Sequence, residues 1–243
     1  CGFSDALAAY IPNNGLDVGL HGLQARPAEA RPLSLKNGDA KVCWRVLARS
    51  LMAGLVQWAH SSQKGFLRGR LPSLGVLYID TAARCAAMRA TLQPGVLALF
   101  DFASAFPSIG RRFIILLMHA ARLPGWLISR WRVLGQGPQA YPMGSGVGQG
   151  CLVAAVLLNS VINPLLVSLG QVISGACGEV LSAYADDIAM VVSAPARMRT
   201  VHAIFSRFQG AAALALNMRK TVFVPLASGC ARAAADEVRT ELA

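Results

Sequence analysis

Tyr184-Ala185-Asp186-Asp187 sets two carboxylates side by side between apolar runs that extend from Glu179 to Val192. The pattern reads as a β-hairpin with the acids at its turn. Like charges this close repel, and each demands water or a cation. A divalent metal meets that demand, because Mg2+ takes hard oxygen ligands and leaves positions open for phosphate oxygens. The same pair is also ordinary turn chemistry, since Asp is common in turns. A third carboxylate bears on the choice. Val96 to Phe100 is a short apolar run after Gly95, and Asp101 closes it, 85 residues before Asp186. Such a run reads as a buried strand with a polar function at its end. Acids at the ends of two strands of one sheet can converge on a metal pair about 3.5–4 Å apart, which activates a hydroxyl and stabilises a leaving oxygen. Read alone, Asp101 is equally a turn or helix-cap residue.

Several elements must position these acids. Val42, Val46, Leu47, Leu51, Leu55 and Trp58 recur at helical spacing, which predicts a helix from Ala40 to His60. A basic, glycine-containing loop follows, Gln63 to Arg70, and then a helix from Leu74 to Arg89. Phe113 to Ala121 reads as a helix closed by Leu123-Pro124-Gly125, whereas Trp126 to Leu134 fits helix or strand. Met143 to Gly150 is glycine-rich and leads into an apolar stretch from Cys151 to Leu169. Asn159, Asn163 and Pro164 interrupt that stretch, so it reads as a buried helix and not a membrane span. A helix from Thr200 to Ala215 and a strand from Thr221 to Leu226 follow, and the first forty residues read as loop-rich.

The 243 residues carry a formal net charge of +11, with 54% hydrophobic and 14% charged residues. This composition excludes a disordered chain. The basic excess points to a polyanion, either nucleic acid or an anionic membrane. Six cysteines are scattered without a C-x-x-C pair, which argues against a zinc site or a disulfide framework and for reduced thiols in an intracellular compartment.

Six segments in order resemble the motifs of reverse transcriptases. Leu99-Phe100-Asp101-Phe102-Ala103-Ser104-Ala105-Phe106 resembles the first palm motif, and Tyr184-Ala185-Asp186-Asp187 the Y-A-D-D box. Between them, Gly146-Val147-Gly148-Gln149-Gly150-Cys151 is similar to the motif that opens the palm helix. After them, Leu214 to Thr221 is similar to the G-L-x-x-N-x-x-K-T segment. Upstream, Arg31-Pro32-Leu33-Ser34-Leu35 with Lys41, and Gln63 to Arg70, look like two fingers motifs. Their style resembles the non-LTR (LINE-type) retrotransposon branch.

The resemblance implies an α+β right-hand polymerase core: fingers at 1–95, a palm at 96–228 with a helical insert at about 111–140, and a stub towards the thumb at 229–243. The palm would be a small antiparallel sheet backed by helices, with the acids at one edge of its open face. No thumb would follow and no endonuclease precede, as in a piece of a larger polyprotein. The implied activity is RNA-directed DNA synthesis from an RNA template, a DNA primer and deoxynucleoside triphosphates, within the cell and in the nucleus. Two Mg2+ ions, or Mn2+ in their place, would be held by Asp101 and Asp186, with Asp187 contributing less directly. Phe106 would exclude a ribose 2′-hydroxyl. Gln149 and Gly150 would line the nascent base pair, and Tyr184 would flank the acids. Lys220 would act near the pyrophosphate as general acid. Arg31, Lys41 and Arg70 would contact phosphates. The chain departs from the family at Leu152-Val153-Ala154-Ala155, where P-L-S-P is usual, at Gly148, where a basic residue is usual, and at Asn13, where a lysine is usual. These departures support an alternative, a weakly active or inactive remnant that only binds nucleic acid.

Overall fold

The computed structural model describes residues 6–12, 17–19, 22–24, 30–36, 38–89, 95–133, 146–147, 153–173 and 178–226. The described part of the first forty residues contains strands where a loop-rich segment is expected, and the rest of the segment lies outside the described residues. Strand β1 (Ala6–Pro12) pairs antiparallel with β4 (Ala30–Lys36), and β2 (Asp17–Gly19) with β3 (Gly22–Gln24). Three alanines in β1 and prolines in both long strands dilute the β-forming signal, although Pro is acceptable on the free edge of a two-stranded ribbon.

Helices α1 (Gly38–Trp58) and α2 (Pro72–Met88) come next, the second opened by a proline in its first turn, where no amide donor is needed. The central sheet begins with β5 (Gly95–Phe100). A one-turn helix α3 (Ala105–Ser108), then α4 (Arg111–Ala120) and α5 (Gly125–Val133), lead towards the long apolar helix α6 (Ala154–Val172). The ambiguous segment at Trp126 is therefore helical. Strands β6 (Val180–Tyr184) and β7 (Asp187–Val192) form the expected hairpin, and α7 (Arg197–Ala212) precedes β8 (Val222–Leu226).

The sheet runs β6-β7-β5-β8, with every neighbouring pair antiparallel. Alternation along the strands sorts its side chains. Val96, Ala98, Phe100, Ile188, Met190 and Val192 point to one face and join α6 and α7 in the main core. Helix α6 is long and apolar enough to cross a bilayer, but most of it lies inside this core. The opposite face is covered at one end, where Ile79, Ala82 and Ala83 of α2 pack near Leu97, Val191 and Leu226. Towards the other end it is open: Leu99, Val222, Val224 and Tyr184 are exposed. The sheet thus has helices on both sides, and the open surface is only the end that adjoins the acids.

Candidate active site

The hairpin turn comprises Ala185 and Asp186, between the paired residues Tyr184 and Asp187. Ala185 adopts a φ of 54°, the left-handed region that the twist of a two-residue hairpin favours. Phe100 pairs with Ile188, so β5 delivers Asp101 next to this turn. The three carboxylates lie within each other's field. Burial raises the Asp186 carboxyl above its ordinary value, a backbone hydrogen bond opposes that, and the charges of Asp187 and Asp101 add to the rise. Asp187 is raised by burial first and by Asp101 second.

Asp101 is held through its backbone. Its carbonyl accepts the Asn217 amide at 2.8 Å, and the Ala103 amide donates to Ala215 O at 2.9 Å. Asn217 O in turn accepts the amides of Lys220 and Thr221 at 3.0 and 2.9 Å. This small turn carries the Lys220 ammonium to 3.5 Å from Asp101 Oδ2. Phe106 lies half-buried in α3, and its carbonyl accepts the Val147 amide at 2.8 Å, while the Gly146 amide donates to Ile109 O at 2.8 Å. Gly146 has a φ of 80°, and a side chain there would strike Pro107, so Gly146 and Val147 dock directly on α3.

Among the described residues, no group of three or more histidine, cysteine, aspartate or glutamate side chains stands as a site that could hold a metal ion. The donor set still fits a hard divalent cation. Asp101, Asp186 and Asp187 offer only oxygen, and Mg2+ is commonly held by one or two carboxylates together with substrate phosphates.

A model of the reverse transcriptase (RNA-dependent DNA polymerase) family matches residues 11–238. The chain belongs to the reverse transcriptase family. Its fold resembles apo telomerase from Candida tropicalis truncated from its C-terminal domain, with a TM-score of 0.61 and 13% identity over 92% of this chain and 50% of that one. Apo telomerase from Candida tropicalis gives 0.60 and 11%, over 92% and 45%. Telomerase from Candida albicans in complex with a TWJ fragment of telomeric RNA gives 0.55 and 12%, over 89% and 42%. At such identities the likeness is one of fold: mixed helices and an antiparallel sheet in a fingers-and-palm arrangement. The chain spans half or less of the length of these neighbours.

The other residues singled out in this reverse transcriptase chain distribute unevenly. Gln149 and Gly150 lie outside the described residues. Arg31 sits in β4, opposite Ile11 of β1, and Lys41 is exposed on α1. Tyr184 is exposed beside the acids, its ring 5.5 Å from that of Phe66. Arg70 requires a correction. Its guanidinium donates to the carbonyls of Val56, Ala59, His60 and Gln63, at 3.1 and 2.8 Å for the first two and 2.8 Å for the last. These are carbonyls left over at the end of α1 and in the loop after it. A fork of fixed donors suits this role, and the side chain is committed to the fingers loop and not to a phosphate.

Three side chains that sequence reasoning passed over complete the site. Gln63 is buried beneath the Ala185–Asp186 turn, and Asn159 and Asn163 of α6 hold the loop that carries it: Asn159 Nδ2 donates to Gly65 O at 2.8 Å, and the His60 amide donates to Asn163 Oδ1 at 2.7 Å. The spacing of four between the asparagines was the available signal, since it puts both on one face of an apolar helix, where each needs a polar partner.

Proposed function

We propose that this chain is the fingers and palm of an RNA-directed DNA polymerase of a retrotransposon-like element, of the non-LTR branch, acting in the nucleus on an RNA template and a DNA primer. The observation that carries the reading is the meeting of Asp101, Asp186 and Asp187 at one open sheet end, with Lys220 at 3.5 Å from Asp101. Two divalent ions held there by Asp101 and Asp186 would neutralise the carboxylates and the phosphates of an incoming nucleotide. The remaining tasks fall to the chain. The apolar strip of Leu99, Val222 and Val224 gives the primer end a floor. Phe106, in α3 and five residues after Asp101, would stand below the sugar and exclude a 2′-hydroxyl by contact. Lys220 keeps a proton within reach of the pyrophosphate oxygen that leaves when the primer 3′-oxygen attacks the α-phosphate. The domain bounds 1–95 and 96–228 are part of the same proposal, as is residence within a larger polyprotein.

The test is primer extension on an RNA template by the full-length protein that contains this chain. Extension that depends on Mg2+ or Mn2+ and vanishes in Asp186→Asn is the expected result. RNA–DNA binding without extension would favour the remnant instead.

A further inference from the structure

We infer that Gln63 is a positioning residue that fixes the catalytic turn, so that the fingers loop sets where Asp186 and Asp187 stand. The inference rests on the polymerase reading of that turn. Its ground is a set of contacts that has no counterpart in an ordinary hairpin.

Ala185 has an L side chain in the left-handed region, a conformation that costs about 1–2 kcal/mol and persists only where its surroundings over-determine it. The turn's own ladder ends at Tyr184 and Asp187, so it leaves both backbone groups of Ala185 without a strand partner. Gln63 takes both. Its Oε1 accepts the Ala185 amide at 2.8 Å, and its Nε2 donates to Ala185 O at 3.0 Å. The primary amide therefore acts as one residue of a neighbouring strand and fixes the plane of the peptide groups on either side of Ala185. Oε1 also accepts the Gly65 amide at 2.9 Å, which locks the side chain's own position. At 1% exposure Gln63 has no water to replace these bonds.

The loop is braced from behind and from the side. Gln63 bridges to Ala183 in a parallel sense, with Lys64 N to Ala183 O at 2.7 Å and Ala183 N to Ser62 O at 2.9 Å. Asn159 and Asn163 tie residues 60–65 to α6. Gly65 lies so close to the Ala185 nitrogen that a methyl group could not be added without a backbone shift. The fingers loop is thus held between α6 and the catalytic turn, and Gln63 is the only described side chain hydrogen-bonded to that turn from the fingers.

The experiment uses the full-length protein and Gln63→Met, which keeps length and volume and removes every side-chain hydrogen bond. The expected result is a fall in kcat of about ten- to hundredfold, the effect of misplacing reacting groups by about 1 Å. KM values for nucleotide and template-primer should stay within about threefold, because substrate contacts remain. Gly65→Ala is the second variant. It leaves Gln63 in place and pushes the same turn, so it should show the same kcat-selective loss, and it decides the matter should Gln63→Met fail to fold. Parental kcat in both variants, or a rise in KM alone, overturns the inference. Mn2+ binding, read by electron paramagnetic resonance, supplies a measure independent of turnover, and affinity should drop in folded Gln63→Met. A parent that binds Mn2+ but extends no primer would defeat the polymerase reading, and the Mn2+ comparison would still decide the positioning role. Equal Mn2+ affinity in parent and Gln63→Met overturns it.

Discussion

Burial, together with the charge of Asp101, raises the carboxyls of both Asp186 and Asp187 above their ordinary value. In the unfolded chain both titrate near 3.8, and in the folded protein both titrate higher. The folded state therefore holds more protons across the interval between those values, and stability falls as pH rises through it. Above that interval the metal-free protein carries the whole of this penalty. Asp186→Asn removes one charge from the group at almost constant shape. We expect it to raise the Tm of the metal-free protein, by about 2–4 °C for each kcal/mol of repulsion relieved. Mg2+ should raise the Tm of the parent more than that of the variant. Thermal scans in chelator and in Mg2+ check both, and a variant that melts lower in chelator would show that the carboxylate is already neutralised by the protein itself.

Arg70 shows how an element can claim a residue that looks like a ligand contact. Four carbonyls from α1 and the loop after it converge on its guanidinium. Lys is a single point charge and cannot span them. Arg70→Lys should lose roughly 2 kcal/mol, the scale of hydrogen bonds to a charged group, and leave the salt dependence of RNA–DNA binding unchanged. A phosphate contact would instead reduce the slope of log K against log salt by about one, with little change in melting. The same contrast explains what could be read in advance. The β6–β7 hairpin and β5 were legible because their alternation and terminal acids are local features. Helix α6 was legible from a long apolar stretch whose few polar residues, Asn159 and Asn163 among them, mark it as buried. Helix α3 was not, since four residues with Pro107 inside show no period. The clamp on the turn was also hidden. Gln63 meets Ala185 across 122 residues and Asn159 meets Gly65 across 94, and no local pattern encodes such pairings.

At the scale of the whole molecule, the charge of +11 has a location as well as a magnitude. Arg45 and Arg49 on α1 and Arg68 in the fingers loop line a groove of about 680 Å3, with Ala48, Met52, Ala53 and Val56 as apolar floor and no acidic residue among its described walls. Guanidinium groups above an apolar floor suit a strand that offers phosphates at its edge and base faces within. Arg84, by contrast, is exposed on α2 and paired with Asp80 at 2.8 Å. Phosphate contacts release counterions, so each one contributes about 0.9 to the slope of log K against log salt on duplex nucleic acid. The double variant Arg45→Gln/Arg49→Gln should therefore bind RNA–DNA duplex more weakly at low salt, with a slope smaller by about two, whereas Arg84→Gln should match the parent. The rate of synthesis at saturating duplex should change little, because neither arginine is among the groups that meet at the Ala185–Asp186 turn. Binding titrations over a series of salt concentrations measure the slope. An unchanged slope in the double variant, or an equal loss in Arg84→Gln, would mean that the basic excess acts as a diffuse field and that this groove holds no phosphate.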